Sequence, residues 1–133
     1  MIYTLGYSGR SLASLIDLAQ GLDAVLVDVR FSPASRNPDF SGKRLREALG
    51  NRYVHLKAFG NENYRNNGPI KLADPAAGVE AIKAIGGTVI LMCACAQYHT
   101  CHRSHVAELL RGLGYEVEEA PTSVKTALQP RLL

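Results

Sequence analysis

The most informative stretch of the sequence is Ala24-Val25-Leu26-Val27-Asp28-Val29-Arg30, an almost unbroken apolar run that ends in a carboxylate and a guanidinium. A strand that is apolar on both faces is typical of a parallel sheet covered by helices on both sides, whereas a half-exposed strand alternates between apolar and polar residues. A second run of this kind occupies residues 88–92. The two runs predict a sheet that is buried between two layers of helices.

Strand and helix patterns alternate on either side of these runs. Apolar residues recur at helical spacing after Ser11, after Ser41, from Pro75 onward and after the cysteine-rich loop at residues 93–100. Further strands are predicted at residues 2–5, 53–56 and 115–118, the last of which alternates and is therefore expected at an edge. Right-handed crossovers between such strands predict an α/β fold, a three-layer α/β/α sandwich with a largely parallel sheet of about five strands. We expect one domain over residues 1–133.

Composition narrows the class of protein. The chain is 47% hydrophobic and 20% charged, which excludes a disordered chain, and no apolar run approaches the roughly 20 residues that span a bilayer. The first residues lack the charged segment of a signal peptide, and three cysteines within nine residues favour a reducing compartment. We therefore expect a cytoplasmic protein with no membrane partner. The sequence does not indicate an oligomeric state.

Polar residues follow the apolar strands. Ligands of open parallel sheets bind beyond the carboxyl ends of the strands. The first strand is followed by Ser8 and Arg10, and the loop after the second strand carries Ser35 and Arg36. Alternation along the second strand places the side chains of Asp28 and Arg30 on the same side, where they form either a structural ion pair or part of a catalytic site.

Cys101, His102 and Arg103 stand where the last helix begins. Acidic residues are preferred at this end of a helix, so two cationic side chains here indicate a bound anion, unless both project into water. A thiol at a helix start beside basic groups loses its proton easily and becomes nucleophilic. Cys101 is therefore a candidate nucleophile, although a small buried side chain is the simpler interpretation.

Together these residues predict a small enzyme, a hydrolase or a transferase, that acts on an anionic substrate of phosphorylated or nucleotide-like character. Asp28, Cys101 and His102 are the candidate catalytic residues. The residues predicted to bind the substrate are the hydroxyl and guanidinium side chains at the same edge of the sheet: Ser8, Arg10, Arg30, Ser35, Arg36 and Arg103.

Two other functions are compatible with the sequence. The three cysteines and one histidine supply four ligands for zinc, although the paired C-x-x-C spacing of common zinc modules is missing; the candidate ligands are Cys93, Cys95, Cys101 and His99, or His102 in place of His99. A non-catalytic module that binds nucleic acid would use scattered arginines and aromatics such as Tyr64 and Arg65, which form no recognised motif. A purely structural polar edge is the third alternative. We expect Tyr53 and His55 to be core residues.

The chain resembles the bacterial and archaeal family known as domain of unknown function 488. The similarity lies in residues 2–8, 26–30, 33, 35–36, 53–56, 60–61, 92–93 and 101–103. Two positions depart from the pattern: Tyr7 stands where members often carry histidine, and Cys95 where they often carry an acidic residue. The first change removes an imidazole from that loop, and the second replaces a carboxylate with a thiol. Because the family has no established activity, the resemblance implies the fold and the place of the site, and it leaves the function open.

Overall fold

The described part of the chain alternates five strands with four α-helices. A computed structural model describes residues 1–66, 68–95, 98 and 101–121. The elements in chain order are β1 (Ile2–Gly6), α1 (Leu12–Gly21), β2 (Val25–Asp28), α2 (Gly42–Leu49), β3 (Tyr53–His55), α3 (Pro75–Ile85), β4 (Val89–Cys93), α4 (Arg103–Gly112) and β5 (Val117–Glu119).

Three of the helices begin with a side-chain cap. Ser11 accepts a hydrogen bond from the Ser14 amide at α1, and Ser41 plays the same role at α2. Asp74 caps α3, which has proline at its first position. The residue that precedes α4 is His102, and its side chain makes no cap hydrogen bond. The start of α4 therefore uses its polar side chains for other contacts.

The five strands form one sheet in the order β3-β2-β4-β1-β5, and every ladder in it is parallel. The predicted α/β class and parallel sheet are confirmed, and β5 lies at an edge as its alternating pattern predicts. The register places Gly6 beside Cys93 and Asp28 beside Met92. The carboxyl ends of β2, β4 and β1 therefore lie next to one another at the centre of the sheet.

Helices cover both faces of the sheet, which confirms the predicted three layers. On one face α1 and α2 pack against alternate strand residues; the buried set includes Leu15, Leu18, Leu45, Leu5, Leu26 and Ile90. On the other face α3 and α4 do the same with Val79, Ile82, Val106, Leu110, Val27 and Leu91. Asp28 alternates with Val27 and Val29 along the chain of β2, so its side chain lies on the α1/α2 side. Cys93 and Cys101 belong to the α3/α4 side.

The strand boundaries differ by one or two residues from the sequence-based prediction. Strand β4 continues to Cys93, which we expected in the loop, because β1 extends to Gly6 and the Tyr7 amide still donates to the Cys93 carbonyl at 2.9 Å. Strand β5 begins at Val117, two residues later than expected. Among the described helices, none has the length and apolar character that crossing a bilayer requires.

Candidate active site

The polar residues predicted from the sequence gather around two adjoining pockets at the carboxyl edge of the sheet. The basic pocket has a volume of about 490 Å³, and its polar wall consists of Ser8, Arg10, Ser35, Arg36 and Asn37. The thiol pocket has a volume of about 240 Å³ and is lined by Arg30, Cys93, Cys95, His102, Asn61 and the rings of Phe31 and Tyr64. Ala34 and Ala94 border both pockets, so the two pockets adjoin each other.

Asp28 is the centre of a buried hydrogen-bond network on the α1/α2 side of the sheet. Its carboxylate is fully buried and accepts bonds from the Arg30 side chain at 2.6 and 2.8 Å and from the Arg30 amide at 3.1 Å. The hydroxyl of Tyr53 donates to the same carboxylate at 2.7 Å. These four bonds occupy the acceptor sites of both carboxylate oxygens. Asp28 is therefore placed to orient the side chain of Arg30.

The charges of this network shift the pKa values of its members. Burial lowers the pKa of Arg30, but the hydrogen bonds and the charge of Asp28 outweigh burial, so the pKa lies above its ordinary value. Burial raises the pKa of Tyr53, and the bond to the Asp28 carboxylate raises it further. Arg30 is therefore always cationic, and the phenol of Tyr53 stays protonated as a donor.

Tyr7 carries the network from Arg30 to the wall of the basic pocket. Arg30 Nη1 donates to the Tyr7 hydroxyl at 3.5 Å, and that hydroxyl donates to Ser35 Oγ at 2.8 Å. The Asn37 amide also donates to Ser35 Oγ at 3.2 Å. Because Ser35 Oγ accepts two bonds, the group that it presents to the pocket is its O–H donor, which suits the oxygen atoms of an anion.

The thiols of Cys93 and Cys101 touch each other on the α3/α4 side. Both residues are about 1% exposed, and their sulfur atoms are 2.6 Å apart. Cys95 is exposed at the mouth of the thiol pocket, and the three sulfur atoms all lie within 4.8 Å of one another. The three thiols thus form one cluster that extends from the interior to the surface.

His102 connects this cluster to strand β2. Its Nε2 lies 2.7 Å from the Val29 carbonyl oxygen, an acceptor, so Nε2 carries the proton. Its Nδ1 lies 3.7 Å from Cys101 Sγ and is therefore the atom that can take the proton of the thiol. Burial lowers the pKa of His102, but the contacts with Cys101 and with the Val29 carbonyl raise it above its ordinary value. The arrangement favours a thiolate beside an imidazolium.

The two buried thiols share one proton unequally. The contact with Cys93 lowers the pKa of Cys101 well below the ordinary range; burial opposes this shift, and His102 and the Arg103 amide strengthen it. The pKa of Cys93 is raised by the same contact, by Cys95 and by burial. These opposite shifts favour Cys101 as the thiolate and Cys93 as the thiol of the pair.

Arg103 lies between the thiol cluster and strand β5 and contacts both. Its side chain is fully buried, and Nη1 donates to Cys93 Sγ at 3.2 Å and to the Cys95 carbonyl oxygen. Nε donates to Glu119 at 3.1 Å, and Glu119 in turn accepts a bond from the hydroxyl of Thr4. Burial lowers the pKa of Arg103, but Cys93 and Glu119 raise it above its ordinary value. Arg103 is thus held as a fixed positive charge behind the thiols.

The close passage of Cys95 and Arg103 requires glycine at position 6. A Cβ atom on Gly6 would lie 1.5 Å from the Cys95 carbonyl oxygen and 2.7 Å from Arg103 Nη1. Strand β1 therefore has to present bare backbone at its carboxyl end for the loop after β4 to cross it.

The structure places the predicted residues in three groups. Ser8, Arg10, Ser35 and Arg36 line the basic pocket; Arg30 and His102 line the thiol pocket. Asp28, Cys101 and Arg103 are buried behind the pocket walls. His99 lies outside the described residues. His55 is half-buried, and its Nε2 lies 2.8 Å from the Arg30 carbonyl oxygen.

Several residues of the site were not predicted to belong to it. Tyr53 is buried as expected of a core residue, but it also bonds Asp28. Tyr7 connects Arg30 to Ser35, and Thr4 and Glu119 support Arg103. A hydroxyl within an apolar strand is a weak sequence signal for such a role, and Glu119 has no local signal at all.

Comparisons with known proteins give a family and no activity. A family model described as "Domain of unknown function DUF488" matches residues 12–110. No curated protein and no solved structure matches the chain.

Proposed function

Because the chain belongs to the family of domains of unknown function DUF488, we propose its function from the site itself: the protein is an enzyme, a hydrolase or a transferase, that acts on a small phosphorylated or nucleotide-like anion. The observation that supports this proposal best is the contact between the two pockets, because it puts groups that bind anions next to groups that react.

The basic pocket holds the anionic part of the substrate. Arg36 is exposed at its wall, and Arg10 stands half-buried opposite the hydroxyls of Ser8 and Ser35. Burial lowers the pKa of Arg10, Glu119 raises it and Arg103 lowers it, with a net shift below the ordinary value of an arginine, which still leaves it cationic at neutral pH. Two guanidinium groups and two hydroxyls supply the charge-assisted hydrogen bonds that phosphate oxygens accept.

The thiol pocket holds the reacting atom. His102 Nδ1 takes the proton of Cys101, and the Val29 carbonyl keeps the imidazole in the tautomer that this step requires. Cys93 and Cys95 line the pocket in front of Cys101, and Cys93 shares its proton with that thiolate. The nucleophile is therefore a sulfur atom of this thiol cluster, and His102 is its general base.

Asp28 is a positioning residue in this mechanism. Its four hydrogen bonds fix Arg30, which lines the thiol pocket and, through Tyr7, orients the Ser35 hydroxyl toward the basic pocket. A group that is fully buried and fully bonded acts through the residues that it holds.

The binding step is tested by titrating the protein with inorganic phosphate and with nucleoside monophosphates in a calorimeter. We expect binding that Arg36→Ala weakens by about tenfold or more, the loss that follows from removing one charge-assisted hydrogen bond of about 1.5–3 kcal/mol. Arg44→Ala is the matched control, because Arg44 is an exposed arginine of α2 that pairs with Glu47. Equal binding by all three proteins, or binding by none, would contradict the proposed anion site.

A zinc site is the second candidate, and the observation that favours it is the cluster of three sulfur atoms within 4.8 Å. Zinc–sulfur bonds of about 2.3 Å bring such atoms within reach of one ion, and His102 Nδ1, 3.7 Å from Cys101 Sγ, can supply a nitrogen ligand. Elemental analysis of protein purified without chelator or affinity metal distinguishes the candidates. One zinc per chain with protected thiols would assign the cluster to a metal, whereas metal-free protein with one fast-reacting thiol would support the enzyme.

A further inference from the structure

Cys93 and Cys101 are held against each other by two ordered elements. Cys93 ends β4 and pairs with Gly6 in the sheet, and the Cys101 amide donates to the Tyr98 carbonyl at 3.2 Å just before α4. Their sulfur atoms are 2.6 Å apart, so a movement of about half an ångström brings them to the roughly 2.05 Å of a disulfide bond. Once one of the two sulfur atoms is part of a mixed disulfide, the other attacks it far faster than a thiol from solution does.

Cys95 connects this pair to the solvent. It is exposed and lines the thiol pocket, and its sulfur lies within 4.8 Å of both buried sulfur atoms. The pocket, of about 240 Å³, has the rings of Phe31 and Tyr64 on its wall, which suits the apolar sulfur atoms of a small disulfide. A disulfide that enters this pocket meets Cys95 before it can reach Cys101.

We propose that the protein exchanges thiols with low-molecular-weight disulfides, with Cys95 as the entry thiol and the pair of Cys93 and Cys101 as the dithiol that becomes oxidised. The Cys95 thiolate attacks one sulfur of R–S–S–R, forms Cys95–S–S–R and expels one R thiolate. A buried thiolate then attacks Cys95 Sγ and expels the second R thiolate.

An internal exchange completes the reaction. The thiolate of the remaining buried cysteine attacks the first buried sulfur, so the disulfide bond passes to Cys93 and Cys101, and Cys95 leaves as a thiolate. The chain loses two electrons and two thiol protons, and R–S–S–R gains them as two molecules of R–SH. This activity uses the thiol pocket alone and does not depend on an anion in the basic pocket.

The surroundings of the pair favour its reduced form. Arg103 donates to Cys93 Sγ at 3.2 Å, and His102 Nδ1 lies 3.7 Å from Cys101 Sγ. The Cys101 thiolate gains from His102, and Arg103 places a second positive charge beside the pair through Cys93, whereas a disulfide carries no charge for them to stabilise. The oxidised pair is therefore a good oxidant, and a thiol from solution returns it to the reduced state.

The test uses the full chain, fully reduced, with oxidised glutathione as the disulfide, followed by intact-mass and peptide-mass spectrometry. We expect two molecules of reduced glutathione per disulfide consumed, a chain lighter by two hydrogen atoms without an adduct, and a cross-link between the peptides of Cys93 and Cys101. Cys95→Ser should give the same product at least about tenfold more slowly, because the exposed entry thiol is gone. Cys93→Ser should stop at a disulfide between Cys95 and Cys101, because the final exchange to Cys93 is lost, and Arg44→Ala should behave as the unaltered chain.

Glutathione adducts that accumulate on the separate cysteines of the unaltered chain would refute the dithiol, and an unchanged rate in Cys95→Ser would refute the entry role. Circular dichroism shows whether Cys93→Ser folds. If it does not fold, the dithiol is tested by the product stoichiometry and by the cross-link in the unaltered chain. Absence of phosphate or nucleotide binding would count only against the proposed anion enzyme, so the two failures are distinguishable.

Discussion

Replacing Asp28 with asparagine measures how much of the fold depends on the buried ion pair. The carboxylate is fully buried, and it accepts bonds at 2.6 and 2.8 Å from the guanidinium of Arg30, which is 6% exposed. Asparagine keeps the shape of the side chain but removes its negative charge. Its amide N–H group would then face one of the donors that now bond the carboxylate of Asp28. Breaking a buried pair in this way costs about 3–5 kcal/mol, a large part of the roughly 5–15 kcal/mol that stabilises a domain of ordinary size.

The stability of Asp28→Asn is measured by urea unfolding monitored by circular dichroism, from the midpoint and the slope of the unfolding transition. A second variant, Asp28→Asn with Arg30→Met, removes both charges and should be more stable than the single variant, because no unpaired guanidinium remains in the interior. A loss below about 1 kcal/mol in the single variant, the size expected of an exposed pair, would refute the buried-pair reasoning. A double variant less stable than the single one would refute it as well.

Three further predictions concern other parts of the site. Tyr53→Phe deletes a buried donor to a charged carboxylate and should lower the free energy of unfolding by about 1.5–3 kcal/mol in the same urea assay. Gly6→Ala should cost about 3 kcal/mol or more because of its overlap with a carbonyl, whereas Gly112→Ala, with open space around its Cβ, should leave stability equal or higher by up to about 1 kcal/mol; similar values for both would contradict the overlap. The pKa of Cys95 is lowered by its contact with Cys93, against the effect of burial, so its alkylation by iodoacetamide should reach half of its maximal rate below the usual thiol pKa of about 8.5. Cys93→Ala should move that midpoint to higher pH, and an unmoved midpoint would exclude the contact as the cause.

The order of strands and helices could be predicted because its signals are local. Residues 24–29 and 88–92 are apolar on both faces, and Ser11 and Ser41 cap the helices that the pattern predicts. The order of strands in the sheet depends on pairing between distant segments, which places β1 between β4 and β5. Local periodicity carries no information about that arrangement.

The features of the site that local sequence patterns predict also differ from those that depend on contacts between distant residues. The sequence predicts that polar residues gather at the carboxyl edge, because all strands of a parallel sheet end there. It does not show that Tyr53, 25 residues from Asp28, completes the carboxylate shell, or that Glu119 holds Arg103. Nor does the spacing of Cys93 and Cys101 indicate that the strand end and the helix start bring their thiols into contact. Each of these contacts is set by tertiary packing.

The position of β1 has a consequence for how the family is delimited. The segment that matches the family model, residues 12–110, begins after β1 and ends before β5. Strand β1 is an interior strand that pairs with β4 on one side and β5 on the other. A fragment cut at these limits would expose a long apolar edge along β4 and lose Gly6 and Glu119 from the site. The residues that match the family model therefore leave out an interior strand of the sheet and two residues that support the site.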